Sequence, residues 1–331
     1  VKLDKWHKCQ IDIQVLKELS KKSDLKGFQH VSVFFGLLIV SGMLAYQTWG
    51  TWWSAFWFLI YGNIYCFANP LWHETGHKTA FKTKFFNEFF YYVSSYLANF
   101  EPTRWRYTHF VHHGNTYSTE NPFDYEIEYG NNLKETPKNL LINLIPFMEL
   151  VFFKRSVAYE IILHALGIKT KVMQNGIPET AHAKAIYYSR VYVAIWLAII
   201  LWSILSASWL PVLLFLLPKY YGRTLHKLVS FTQHAGLARN IKDHRLTTRE
   251  MYLNPILSFL YWKMEYHLTH HMFPTVPSYN LDKLHHHIKD QLPRTNNGLI
   301  DAYREIIPAI MKQSKDEDYF LKKESSTLQN V

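Results

Sequence analysis

Between Val31 and Trp72 the chain carries no Asp, Glu, Lys, Arg or His, an uncharged stretch of 42 residues. As helix, at about 1.5 Å per residue, that is roughly 63 Å, twice the ~30 Å thickness of bilayer hydrocarbon. Buried helices of a soluble protein rarely need so long an uncharged run, whereas a hairpin that crosses a membrane twice does. Residues 191–218 form a second uncharged run of 28 residues. Residues 186–190 lead into it and 219–222 follow, and Arg190 and Lys219 can snorkel, so it has the length for a second, shorter hairpin. The runs predict four spanning helices, 31–48 paired with 52–69 and 186–205 paired with 208–222. The turns Trp49-Gly50-Thr51 and Ser206-Ala207-Ser208 are uncharged. A signal peptide does not fit, because a charged stretch of about thirty residues precedes the first run and the run is too long for an h-region.

The mean hydropathy of −0.14 conceals this segregation. A hydrophobic content of 48% excludes a disordered chain, and the 19% of charged residues falls below the roughly 25% of soluble domains. Cys9 and Cys66 are the only cysteines, which excludes a disulfide scaffold and a thiolate zinc finger. With both turns uncharged, all charge lies on one side of the bilayer. Lys2, Lys5, Lys8, Lys17, Lys21, Lys22 and Lys26, with Lys78, Lys82 and Lys84, make that side cytoplasmic. Residues 85–100 and 139–153 are apolar but too short to span, and read as interfacial helices. The expected fold class is therefore an all-α integral membrane protein: four transmembrane helices as two hairpins, interfacial helices and a cytoplasmic helical cap. It forms one domain over 1–331, with a cytoplasmic N-terminal segment (1–30), a core (31–310) and a polar tail (311–331) expected to fray.

Histidine, at 18 residues, outnumbers glycine and proline. His73-Glu74-Thr75-Gly76-His77 places imidazoles at i and i+4. His109-Phe110-Val111-His112-His113 and His267-Leu268-Thr269-His270-His271 each give i, i+3 and i+4. On a helix those three rings share a sector of about 100°. His234 stands alone after the second run. A single histidine is more often a surface or hydrogen-bonded residue than a ligand; two HxxHH patterns with one HxxxH on the same side of a bilayer are not explained that way. Eight or nine nitrogens exceed what one ion takes, and suit two first-row metals for which imidazole is a good ligand, iron among them.

These motifs, HETGH, HFVHH and HLTHH set around two apolar runs, resemble the integral-membrane fatty acid desaturase superfamily with its three histidine boxes. Tyr266 to Pro277, followed by Asn280-Leu281, is similar to the third box and its downstream FPxxP signature. The resemblance spans roughly residues 30–290. A further likeness is to a bacterial subgroup around rhizopine catabolism, which acts on small polar substrates. The resemblance implies two iron ions held by His73, His77, His109, His112, His113, His267, His270 and His271, with His234 in the place of a ninth ligand. Some members carry Asn four positions before that histidine, where this chain departs with Ser230; His226 is a further candidate to complete the coordination, or a water. No catalytic residue separate from the metal centre is implied. The implied chemistry is O2-dependent desaturation of an acyl chain, with hydroxylation by a monooxygenase using the same site as the alternative. Nothing resembles a fused cytochrome b5 domain, so the electron donor is a separate ferredoxin or cytochrome b5. The implied location is the bacterial inner membrane or the endoplasmic reticulum.

Glu74, Asp124, Asp243 and Glu265 lie near the boxes and are candidates to orient ligand imidazoles; ordinary solvated carboxylates are the equal alternative. HETGH also fits HExxH, in which Glu74 would be the base of a membrane zinc metalloprotease, although that leaves seven clustered histidines without a role. A transporter should place ionisable groups inside its spans, and these runs have none. His285, His286 and His287 point 100° apart on an expected helix, so at most one faces the metal and the triplet reads as mainly surface. Arg104-Trp105-Arg106-Tyr107 interleaves basic and aromatic residues as a nucleic-acid contact does. It runs directly into the second box at a membrane surface, so a lipid or acyl-carrier head group is expected and no nucleic acid.

Overall fold

The computed structural model describes residues 6–127 and 132–323. Among them the regular structure is helical, with a single β-bridge between Met251 and Asn296.

The first apolar run enters a long helix, Asp24–Gln47, earlier than its uncharged stretch begins. Ser23 caps it by accepting from Lys26 N, and Asp24 sits in the first turn where the helix dipole favours an anion. The chain turns at Gly50, whose φ of +85° suits glycine, and returns as Trp52–Cys66, packed along the first helix. The second run begins in Glu179–Leu205. These two long helices have the length and apolarity to cross a membrane. Only 28% and 17% of their most apolar windows are buried in the protein. Ile39, Leu197 and Leu205 are among the large apolar side chains facing outward. A core helix of a soluble protein turns such residues inward.

The other two expected spans are not single long helices. Residues 52–69 become Trp52–Cys66, a bend at Phe67, and Ala68–Gly76. Pro70 has no N–H for the carbonyl of Cys66, so the ladder breaks there. Residues 208–222 become Leu210–Phe215 and Pro218–Tyr221. Pro218 leaves the Leu214 carbonyl without its helical donor, and the Tyr61 hydroxyl donates to it at 2.7 Å. The expected interfacial stretch 139–153 is likewise divided, into Thr136–Leu144 and Met148–Val151, around Pro146. The stretch 85–100 is one helix, Lys84–Ala98, lying against Ala68–Gly76.

The tail was expected to fray from residue 311, and the structure corrects this as far as Lys323. Helix Gly298–Gln313 continues through residue 313. Leu321 N then donates to Gly236 O at 2.9 Å, and Lys323 Nζ donates to Asn296 Oδ1 at 2.6 Å beside Glu305. Residues 324–331 lie outside the described residues, as do Lys2 and Lys5. The main core gathers Phe34, Phe67, Leu71, Trp262, Leu268 and Ile306, and so ties the first apolar run to the C-terminal helices.

Gly62 and Gly222 bring elements of the two runs into close backbone contact. A Cβ on Gly222 would lie 1.9 Å from the backbone carbon of Gly62, whereas one on Gly36 meets nothing within 4 Å. Gly222→Ala is expected to destabilise the fold by about 1–3 kcal/mol through overpacking. Gly36→Ala should be neutral or slightly stabilising by helix propensity. Thermal unfolding of both variants in one detergent checks the contrast.

Candidate metal centre

Each box sits at or near the C-terminal end of its helix. His73 lies in the last turn of Ala68–Gly76 and His77 is its C-cap. His112 and His113 close the helix Pro102–Gly114, which starts at Pro102 after Glu101 accepts from the Thr103 and Arg104 amides. His270 and His271 close His267–Met272. Three negative helix ends therefore converge where cations would sit.

All nine histidines singled out from the sequence come together, in two groups whose ligand atoms lie within 4.8 Å of one another. One group holds His73, His77, His109, His113 and His270; the other holds His112, His234, His267 and His271. The division follows helical spacing. Each HxxHH box gives its i, i+4 pair to one group and its middle histidine to the other, and the two boxes do so in opposite senses. The groups adjoin, with His113 stacked on His271 at a centroid distance of 4.3 Å.

The hydrogen bonding of these rings fits metal binding. The outer Nδ1 of His109 meets Glu126 Oε2 at 2.8 Å, that of His112 meets Asp124 Oδ2 at 2.8 Å, and that of His234 meets Thr247 O at 2.8 Å. A neutral imidazole whose single N–H donates outward presents a bare lone pair at Nε2. Yet Nε2 of His109 faces Nε2 of His77 at 2.7 Å. Nε2 of His267 faces those of His234 and His271 at 3.2 and 3.1 Å. One N–H cannot serve two such neighbours, and facing lone pairs repel unless a cation lies between them. Burial first, and neighbouring imidazoles second, hold His73, His77, His113, His267 and His271 well below the ordinary imidazole value. These are the neutral forms that ligands need. His112 is the exception: burial works to lower it, but Asp124 and Glu126 outweigh burial and bring it to about 9. The donor set, nine imidazoles with carboxylates behind two of them, suits iron in both groups.

Of the four carboxylates expected to orient ligands, only Asp124 does so. It also accepts from Tyr117 N at 2.8 Å and Glu126 N at 3.0 Å, which fixes it rigidly. Glu74 instead accepts from Ser278 N at 3.0 Å and belongs to neither histidine group, so it is not poised as the base of a zinc protease. Asp243 is engaged by the Arg245 side chain and backbone, and Glu265 accepts from the Ser258 hydroxyl. Glu126 and Glu250 were missed. Glu250 accepts from Thr269 N at 2.6 Å inside box three and holds His285 Nδ1 at 2.8 Å. Asp124 and Glu126 stand two apart in a non-helical stretch, a spacing that places both on one face and was the available signal. His285 is buried while His286 and His287 are exposed, and none of the three joins a metal group. His226 also joins neither group; it packs against Phe67 and Tyr261.

A cavity of about 570 Å³ reaches both groups, touching His73 and His109 of one and His112, His234 and His267 of the other. Its walls near the histidines include Trp72, Phe100 and Trp105, with Trp105 stacked on Phe100 at 3.7 Å. Lys138, Arg155, Lys219, Arg223 and Lys227 also line it, with Glu149 pairing Arg223 and Lys219. Arg223 starts the helix Arg223–Phe231 that leads toward His234, so its backbone stands up to roughly 16 Å from that of the metal group along the wall.

Asp124→Asn is expected to weaken metal binding in the four-histidine group by about 10–100-fold, the usual cost of losing a carboxylate behind a ligating histidine. Glu265→Gln should leave it unchanged. Competition with a chelator on the purified variants checks this, and equal affinities would remove the orienting role from Asp124.

The pattern of the fatty acid desaturase family matches residues 31–303, most of the chain and all three histidine boxes. The match carries no subgroup, so the rhizopine-like likeness gains no support from it. No curated protein matches the chain. Family, all-helical fold and paired histidine groups agree: the chain belongs to the fatty acid desaturase family, and is by that membership an oxidoreductase of lipid metabolism whose site implies iron.

Proposed function

We propose that this chain is a membrane-bound, O2-dependent desaturase that introduces a double bond into a fatty acyl chain, with electrons from a separate ferredoxin or cytochrome b5. The observation that carries the reading is one cavity touching both histidine groups. A histidine-held iron pair supplies, when bound, the activation of O2 and the removal of hydrogen from an unactivated C–H bond. The net reaction consumes one O2, two electrons and two protons. It takes two hydrogens from adjacent carbons and releases two waters.

The chain's own residues hold and shield. Asp124, Glu126 and Thr247 fix three rings through their Nδ1 atoms. Trp72, with ring centroids 5.3 Å from His109 and 6.3 Å from His73, forms a dry aromatic wall with Phe100 and Trp105 beside the reacting carbon. The basic residues of the cavity suit the polar end of an acyl substrate. In the membrane we place the site on the cytoplasmic side, following the lysine-rich segments outside the apolar runs. Trp52–Gly76 and Leu210–Tyr221, each broken at proline, serve as the return legs of two hairpins. Hydroxylation uses the same ligands and differs in the fate of the substrate after the first hydrogen is removed.

Expression in a host with a competent electron donor, followed by lipid profiling, tests the reading. New double bonds that disappear in His270→Ala support it, and new hydroxyl groups move the reaction to the alternative. An unchanged profile from the iron-loaded protein sinks the lipid substrate. Glu74→Gln should retain at least part of the oxidation, because Glu74 faces Ser278 rather than the histidines.

A further inference from the structure

The cavity accounts for how a substrate reaches the histidines but leaves the arrival of electrons open, and a second line of contacts reaches them from elsewhere. Trp6, half-buried near the start of the described chain, lies flat on His244 with ring centroids 4.0 Å apart and planes within 8°. Its Nε1–H donates to Gly114 O at 2.9 Å, at the end of the box-two helix. His244 is 3% exposed, and its ring centroid lies 5.1 Å from that of His271 in the four-histidine group. Buried His244 Nδ1 has no hydrogen-bond partner, so the ring is positioned chiefly by what it packs against. Neither Trp6 nor His244 belongs to a metal group or lines the cavity. Among the described residues, other aromatic contacts to the nine histidines come from Trp72, a cavity wall, and Tyr117, which is buried. Trp6 alone of these aromatics is both partly exposed and off the substrate route.

We propose that Trp6 and His244 form the electron entry to the centre, through His271, and that the surface around Trp6 docks an acidic one-electron carrier protein holding a reduced haem or iron–sulfur group. The inference rests on the di-iron reading above. Each transfer oxidises one carrier by one electron and reduces one bound ferric ion to ferrous; no bond or proton is exchanged. Trp6 and His244 provide coupling through their stacked rings and are not themselves oxidised or reduced. The partner's charge follows from the surroundings: His7 N donates to Lys242 O at 3.3 Å, which sets exposed Lys8 and exposed Lys242 beside the stack. The chain as a whole carries +10. Such a face attracts an acidic partner and speeds encounter.

The test compares iron-loaded wild type, Trp6→Ala and Trp6→Phe under anaerobic conditions, following reduction of the ferric site by a reduced ferredoxin or cytochrome b5 and, separately, by dithionite. Trp6→Ala should be reduced by the protein carrier about ten-fold more slowly, Trp6→Phe near the wild-type rate, and all three alike by dithionite. Reduction of Trp6→Ala by the carrier at the wild-type rate overturns the inference. Binding of the carrier to the metal-free chain gives a second readout: Lys8→Glu with Lys242→Glu should weaken it and flatten its salt dependence, and unchanged affinity overturns the docking site even if Trp6→Ala loses iron. A wild-type chain that takes up no iron is a different failure, that of the di-iron reading itself.

Discussion

Nitrogen lone pairs facing one another in a buried space are the constraint on which this structure depends. Nine imidazoles packed so closely, several with their N–H committed to an outward acceptor, are unfavourable without positive charge among them. The surroundings supply what that charge needs. Three helix C-termini point inward, and Asp124 and Glu126 stand behind His112 and His109. The centre is also enclosed by buried side chains: Thr75, Thr116, Thr247 and Thr269 lie within or beside the segments that carry the rings.

The two HxxHH boxes explain how one small volume serves two ions. A single helical turn cannot aim three rings at one point, because i+3 and i+4 diverge by about 100°. Splitting each box between the groups turns that divergence into a link, and reversing the split in the other box keeps five donors on one side and four on the other. Motion of either helix therefore disturbs both groups. The N-terminal segment and the C-terminal tail then hold the assembly from outside. Trp6 reaches Gly114 behind box two, and Leu321 reaches Gly236 two residues after His234.

Much of this was legible in the residues themselves. The uncharged runs marked the apolar helices, the spacing of the boxes named eight of the nine histidines that the fold brings together, and the family resemblance supplied His234. The rest was set by tertiary contacts or by signals that average out. Pro70 and Pro218 each remove one N–H from an otherwise helical pattern, which an uncharged-run argument overlooks, so two expected spans are broken. Glu265 stands two residues before box three and Asp243 nine after His234, both closer than Asp124 is to box two, yet Ser258 and Arg245 occupy them. Glu250, nineteen residues before Thr269, has no local signal at all. The tail looked too charged to pack, but Lys323 docks on Asn296 and Glu305 and makes a charged residue part of the interior.

Two irons held by the nine histidines are what the proposed chemistry requires. X-ray absorption at the iron edge, combined with metal quantification on the purified chain, tests this most directly. About two irons per chain are expected, each with a first coordination shell made mostly of imidazole nitrogen. A single zinc with no iron, or iron bound mainly by oxygen or sulfur, would contradict it.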